Sequence, residues 1–153
     1  MANKPGKTFR LAALIIIALL AIFFYTSYNS LVLKQEQVTK TWNNVQSDYQ
    51  RRVDLVPNLV STVKQSSEYE KDVLVKLTEA RAKAATVNVS GDASYGNYKK
   101  TEAANSEVAI AANRVIAVIE KYPDVKTTKA FLRLQDQLEG TERRIKFSRK
   151  DFN

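Results

Sequence analysis

The sequence predicts an all-α chain, with an N-terminal transmembrane helix followed by an antiparallel up-and-down four-helix bundle. Three observations carry this expectation. The apolar run Leu11 to Tyr25 follows the cations Lys4, Lys7 and Arg10. Beyond it, apolar residues return at alternating steps of three and four, the period of one helix face. Four Gly and three Pro in 153 residues leave little material for the turns of an all-β fold.

The apolar run spans about 22 Å as a helix, and a bilayer core takes about 20 residues. Uncharged Thr26 to Leu33 extends it, and Tyr25 and Tyr28 suit the membrane interface. A cleaved signal peptide is the alternative. It needs small residues at the cut, yet Tyr25-Thr26-Ser27 and Tyr28-Asn29-Ser30 each place a Tyr there. The chain has no Cys, which excludes a lipid-modified cysteine after the run. Cations ahead of a span keep that end in the cytoplasm. The expected division is therefore a cytoplasmic basic tail (1–10), a transmembrane anchor (11–30) and an extracytoplasmic helical part (31–153) in the inner, or plasma, membrane.

Four segments follow, at about 31–55, 57–86, 98–122 and 127–153. The first carries Val38, Trp42, Val45, Tyr49, Val53 and Val56, which makes Trp42 a core residue and not a ligand platform. The second carries Leu59, Val63, Val73, Leu77, Ala80 and Ala84, interrupted by Ser66 and Ser67. The third carries Ala104, Val108, Ala111, Val115, Val118 and Tyr122. The fourth carries Phe131, Leu134, Leu138, Thr141, Ile145, Ser148 and Phe152. Such narrow stripes are the seams of a coiled-coil-like bundle. Pro57 sits at the start of the second segment, where the first helical turn tolerates it, the alternative being a kink inside one long helix. Val87 to Asn97 reads as a loop, Tyr122-Pro123-Asp124 ends the third segment, and Thr127 or Thr128 caps the fourth. Gly140 inside the fourth reads as a close helix approach or a bend. In this arrangement the Pro57 and Pro123 turns lie far from the membrane.

The chain contains no His and no Cys, which removes serine–histidine triads, thiol nucleophiles and the usual zinc sites. No glycine-rich phosphate loop or nucleophile elbow is present. The residues thus point to no enzyme, no cofactor and no metal centre, and a hydrolase using carboxylates alone is the remote alternative. Glu68, Glu70 and Asp72 stand among lysines and read as a solvated face. Asn88-Val89-Ser90 fits a glycosylation acceptor by pattern only. Of the eight net positive charges the tail supplies three, a modest excess for the remainder that leans towards anionic surfaces and not to nucleic acid. Arg51-Arg52 with Asp54 reads as a helix-end network in which Asp54 pairs with an arginine and caps the helix beginning near Pro57, the alternative being a recognition site for an acidic partner. Arg143, Arg144, Lys146, Arg149 and Lys150 form the densest basic cluster, a candidate contact for lipid headgroups or an acidic partner. The plain alternative is a solvated face that complements a helix C-terminus.

The stretch Tyr49 to Val60, reading YQRRVDLVPNLV, resembles the central signature of the LemA family. Tyr28-Asn29-Ser30-Leu31-Val32, Trp42, Thr78-Glu79-Ala80-Arg81-Ala82, Glu120-Lys121-Tyr122-Pro123-Asp124 and the run Gln137 to Ile145 match it in order. Family members carry the fourth segment beyond Phe152-Asn153. The resemblance implies an N-terminal membrane helix, an extracytoplasmic antiparallel four-helix bundle and no established catalytic residues. It also implies an envelope accessory or scaffold role, in gene context with membrane proteases.

The functional expectation is a non-catalytic, single-pass scaffold that binds envelope proteins, membrane proteases among them, and itself. A lipid-contacting, membrane-shaping oligomer is the alternative. Ile110, Ile116 and Ile119 offer a second face for self-association, against the plainer expectation that a central helix needs a wider core stripe. A reporter active only in the cytoplasm, fused after Asn153, is expected to be silent. A mature N-terminus between Thr26 and Leu31 would overturn the retained anchor.

Overall fold

The length of the first helix follows from one substitution of hydrogen-bond donors. The structure, a computed structural model, describes residues 6–64, 71–88 and 93–153. Lys4, Ser66, Ser67, Glu68, Glu70 and Val89 to Asp92 lie outside the described residues. The helices are α1 (Lys7–Lys64), α2 (Lys71–Asn88), α3 (Tyr95–Ile119), a single turn α4 (Pro123–Lys126) and α5 (Lys129–Phe152). Among the described residues no strand occurs. The expected boundary at Pro57 is therefore corrected, because Pro57 lies inside α1 and the helix continues to Lys64.

Proline at 57 brings no N–H to the carbonyl four residues earlier, Val53. The Nε of Arg81 on α2 donates to that Val53 oxygen at 3.2 Å. A side chain from the next helix thus supplies the donor that the backbone lacks, and α1 passes Pro57 without an orphaned carbonyl. Pro57 itself is exposed.

The other ends follow local chemistry. Ser94 caps α3, accepting from the Asn97 N–H at 3.3 Å. Pro123 opens α4 at a position where a missing N–H costs nothing. Thr128 caps α5 through Phe131 N–H at 3.2 Å. A Cβ added at Gly140 meets nothing within 4 Å, so close helix approach does not explain that glycine.

The chain forms two units, Met1–Val38 and Thr39–Asn153. In the first, α1 exposes Leu14 to Ile17, Leu19, Leu20, Ile22 to Tyr25, Tyr28 and Leu31 to the surroundings. An 18-residue window there has mean hydropathy 2.3 and none of it is buried in the protein. Among the described residues one helix is long and apolar enough to cross a membrane.

In the second unit the seams pack into two apolar clusters. The larger gathers Val53, Val56, Leu59 and Val63 of α1 with Leu74, Leu77 and Ala84 of α2, Val108 and Val115 of α3, and Phe131 and Leu134 of α5. The smaller gathers Trp42, Val45, Tyr49, Tyr98 and Ile145, with Ala93 and Phe152 against them. Trp42 is 1% exposed, so the sequence expectation for it holds. Its ring stands edge-on to Tyr98 at 6.0 Å and tilted to Phe152 at 5.4 Å between centroids. No described α2 residue belongs to this smaller cluster. Large aromatic rings fill it instead.

The buried positions agree with the expected seams except in a few places. Val38 is half exposed, and Leu74, Ala112 and Ile119 join the core beside the expected positions. Ile119 is buried and Ile116 packs against the larger cluster, which corrects the second-face reading and leaves Ile110 alone exposed among the three.

In the native background Arg81→Ala should cost about 1–2 kcal/mol, since it leaves the Val53 carbonyl without a donor. Pro57→Ala restores a backbone N–H to that carbonyl, and in this background the same change should cost under about 0.5 kcal/mol. Urea unfolding of the full chain in nonionic detergent measures both. Equal costs would sever Arg81 from the proline.

Candidate functional site: a buried arginine and the pocket above it

Between the two apolar clusters lies a polar layer. Arg52 of α1, 4% exposed, occupies it together with Thr101 and Asn105 of α3 and Thr141 of α5. Arg52 Nη1 donates to the Asn105 carbonyl at 2.9 Å, and Nη2 meets Glu142 Oε1 at 2.5 Å. Asn105 Nδ2 donates to the Thr101 carbonyl at 3.1 Å, and Thr141 Oγ1 to the Gln137 carbonyl at 2.8 Å. Burial pulls the Arg52 pKa below the usual guanidinium value, against the opposing pull of Glu142. Glu142 stands half in water while Arg52 does not, so the loss of hydration falls on the guanidinium.

Towards the smaller cluster the polar contacts continue. Ser148 hydrogen-bonds to Asp48, and Arg149 pairs with Glu102. Tyr98 Oη accepts from Arg149 Nε at 3.3 Å and from Asn153 Nδ2 at 3.4 Å. Tyr49, 2% exposed, has its phenol pushed up to about 12, chiefly by burial, so it stays a neutral donor. Among the described residues Tyr49 Oη, Arg52 Nε and Trp42 Nε1 are buried without a hydrogen-bond partner.

Above Tyr49 and Arg52 lies an open pocket of about 420 Å³ between α1, α3 and α5, rimmed by Glu102, Glu142, Lys146, Arg149 and Lys150. A second groove of about 430 Å³ runs between α2 and α3 beside Ile110 and the Lys83–Glu107 ion pair of 2.6 Å.

Residues 41–153, which contain every side chain of this layer and pocket, match the model of the LemA family. The chain belongs to the LemA family. No curated protein matches it in sequence.

The expected basic cluster is divided on this LemA-family structure. Lys146, Arg149 and Lys150 line the pocket, whereas Arg143 and Arg144 are exposed and do not. Among the described residues Arg143, Arg144, Lys146 and Lys150 form no ion pair, while Arg149 is held by Glu102 and Tyr98. The Arg51-Arg52-Asp54 network is corrected. Asp54 accepts from Gln50 Nε2 at 2.8 Å and Arg52 turns inward to Glu142. Among the described residues no group of three acidic side chains is gathered as a cation site. Asp72 is exposed at the start of α2.

Arg52 is the residue that sequence reasoning misses. Its position is legible, because 45, 49, 52, 56, 59 and 63 continue one unbroken three–four alternation on α1. Asn105 holds the equivalent place between Thr101 and Val108 on α3. A charged or amide residue at a seam position is the available signal.

The two ends of the Arg52–Glu142 pair should respond unequally. Glu142→Ala strands a buried cation and should cost about 2–3 kcal/mol, the exposure of Glu142 holding it to the lower part of the range. Arg52→Met keeps the volume, leaves Glu142 in water and should cost under about 1 kcal/mol. In the double variant the Glu142→Ala penalty should vanish. Chemical denaturation in detergent reads all three, and a penalty that persists in the double variant would contradict the stranding account.

Proposed function

We propose that this LemA-family chain is a single-pass, membrane-anchored helical scaffold of the cell envelope, with no catalytic role. The observation that carries the reading is the exposed apolar surface of α1 before Val38. Among the described residues nothing covers that surface, and it is matched to a bilayer core in length. The cations before it favour a cytoplasmic N-terminus and an extracytoplasmic domain. A chain without His or Cys has few groups suited to catalysis at neutral pH, which supports binding over chemistry.

The up-and-down four-helix architecture has its own support. Trp42 meets Phe152, Asp48 meets Ser148 and Arg52 meets Glu142, so numbers rise along α1 as they fall along α5. Trp42 with Tyr98 and Arg52 with Asn105 run in the same sense on α1 and α3. Val53 with Arg81 and Lys83 with Glu107 support α2 as the fourth helix, packed along α3. A rigid body of this kind on a tether suits the gathering of other envelope proteins, membrane proteases among them, and of further copies of itself.

A second reading is a lipid-contacting, membrane-shaping oligomer. Arg143, Arg144, Lys146 and Lys150 of α5, which form no ion pair among the described residues, favour it. Full-length protein purified in detergent after cross-linking in intact cells separates the two. The scaffold reading expects defined envelope proteins and self-cross-links, unchanged by charge reversal at Arg143 and Arg144. Loss of every protein partner, with vesicle binding abolished by the same reversal, would move the assignment to the lipid reading.

A further inference from the structure

We propose that the groove between α2 and α3 is a homotypic interface, closed by the same groove of a second copy of this chain. The inference rests on the self-association in the scaffold reading and names the face that carries it.

The face holds both halves of a fit. Ile110 of α3 stands on its wall, 53% exposed. Beside it a hollow of about 430 Å³ is floored by Val73, Ala80 and Ala111. Among the described residues nothing covers either. A two-fold contact uses such a face, since each copy offers the knob that the hollow of the other receives.

The Lys83–Glu107 ion pair marks one level of the two helices. Arg81 reaches Val53, whereas Lys71 and Lys64 line one groove, so α2 runs against α1. Trp42 with Tyr98 and Arg52 with Asn105 run in the same sense, so α3 goes with α1 and against α2. From the ion pair, three residues back along α2 lead to Ala80, and three forward along α3 lead to Ile110. The two therefore share a level. A two-fold axis along the groove lays α2 of one copy on α3 of the other at matching levels. Ile110 of each copy then meets the small Ala80 of the other.

The charges point to a second copy as the occupant. The same axis sets Lys83 against Glu107 of the second copy, twice over. Both side chains are about half exposed, so the ion pair is free to exchange partners. Glu79 is four residues from Lys83, and Arg114 is seven from Glu107. Across the interface they come within one helical turn, about 5 Å. Signs that alternate in this way suit a protein face and not a layer of anionic headgroups. One opposition remains. Lys76 and Arg114 are each seven residues from the ion pair, so these like charges meet. Reversing Lys76 should therefore tighten the contact, which no merely structural role predicts.

The full chain in nonionic maltoside micelles tests this by light scattering against protein concentration, with helicity followed by circular dichroism. The wild type is expected to dimerise. Lys83→Glu and Glu107→Lys should each weaken the dimer about tenfold, because each brings like charges together on both sides of the axis. An equimolar mixture of these two variants should recover the wild-type affinity, since each supplies the charge that the other lacks. Ile110→Asp should weaken the dimer about tenfold, and Lys76→Glu should strengthen it severalfold. All these positions are exposed, so the fold is expected to survive each change. A mixture no tighter than either variant alone overturns the interface. So does a dimer that every variant leaves unchanged, an outcome that keeps self-association and moves it to another face. A wild type that stays monomeric at every concentration also overturns the interface. The scaffold reading falls with it only where cells yield neither self-cross-links nor envelope proteins.

Discussion

The cation of Arg52 is the constraint around which the helices of the second unit are arranged. An isolated charge taken from water costs several kcal/mol, so a seam that buries one must bring acceptors to it from its neighbours. The Asn105 carbonyl comes from α3 and the Glu142 carboxylate from α5, and each reaches Arg52 in only one longitudinal alignment. Apolar side chains on either side tolerate a slip of one helical turn far better than a guanidinium does. Arg52 thus divides the interior into two apolar clusters and fixes the height at which three helices meet.

Helix number and side-chain size are balanced along the same axis. On one side of the polar layer α2 contributes Leu74, Leu77 and Ala84, and the facing residues are of modest volume, mainly Val, Leu and Ala. On the other side the described residues of α2 contribute nothing. The space is closed by Trp42, Tyr49, Tyr98 and Phe152. Aromatic area substitutes for a helix there, and the polar tips of Tyr49 and Tyr98 bring hydrogen-bonding groups to the edge of an apolar cluster. The pocket lies where these two regimes meet.

Much of this is written in the period of the chain. Trp42, Val45, Tyr49, Val108, Val115, Leu134 and Ile145 all announce their burial by spacing, since a helix face is a local property. The apolar stretch before Val38 is equally plain, because nothing in the chain is apolar enough to cover it. Arg52 is hidden by its residue type. An arginine beside Arg51 and Asp54 invites a surface reading, and only Glu142 and Asn105, far along the chain, make burial tolerable. The continuation of α1 past Pro57 is only the lesser alternative in the sequence, because its licence comes from Arg81, likewise distant along the chain. Gly140 misleads in the opposite sense, suggesting a tight contact where there is open space. The pocket is half legible. Lys146, Arg149 and Lys150 belong to a visible basic cluster, but their union with Tyr49 and Arg52 needs three helices in place.

The contact between Arg81 and the Val53 carbonyl links residues 28 positions apart. A backbone hydrogen bond forms as soon as its own turn does, whereas this one awaits the arrival of a later helix. Until then α1 has a weak joint at Pro57, with a bare carbonyl open to solvent. A chain made N-terminus first therefore holds a hinge between Val53 and Pro57 for as long as α2 is still to come, and the docking of α2 locks it.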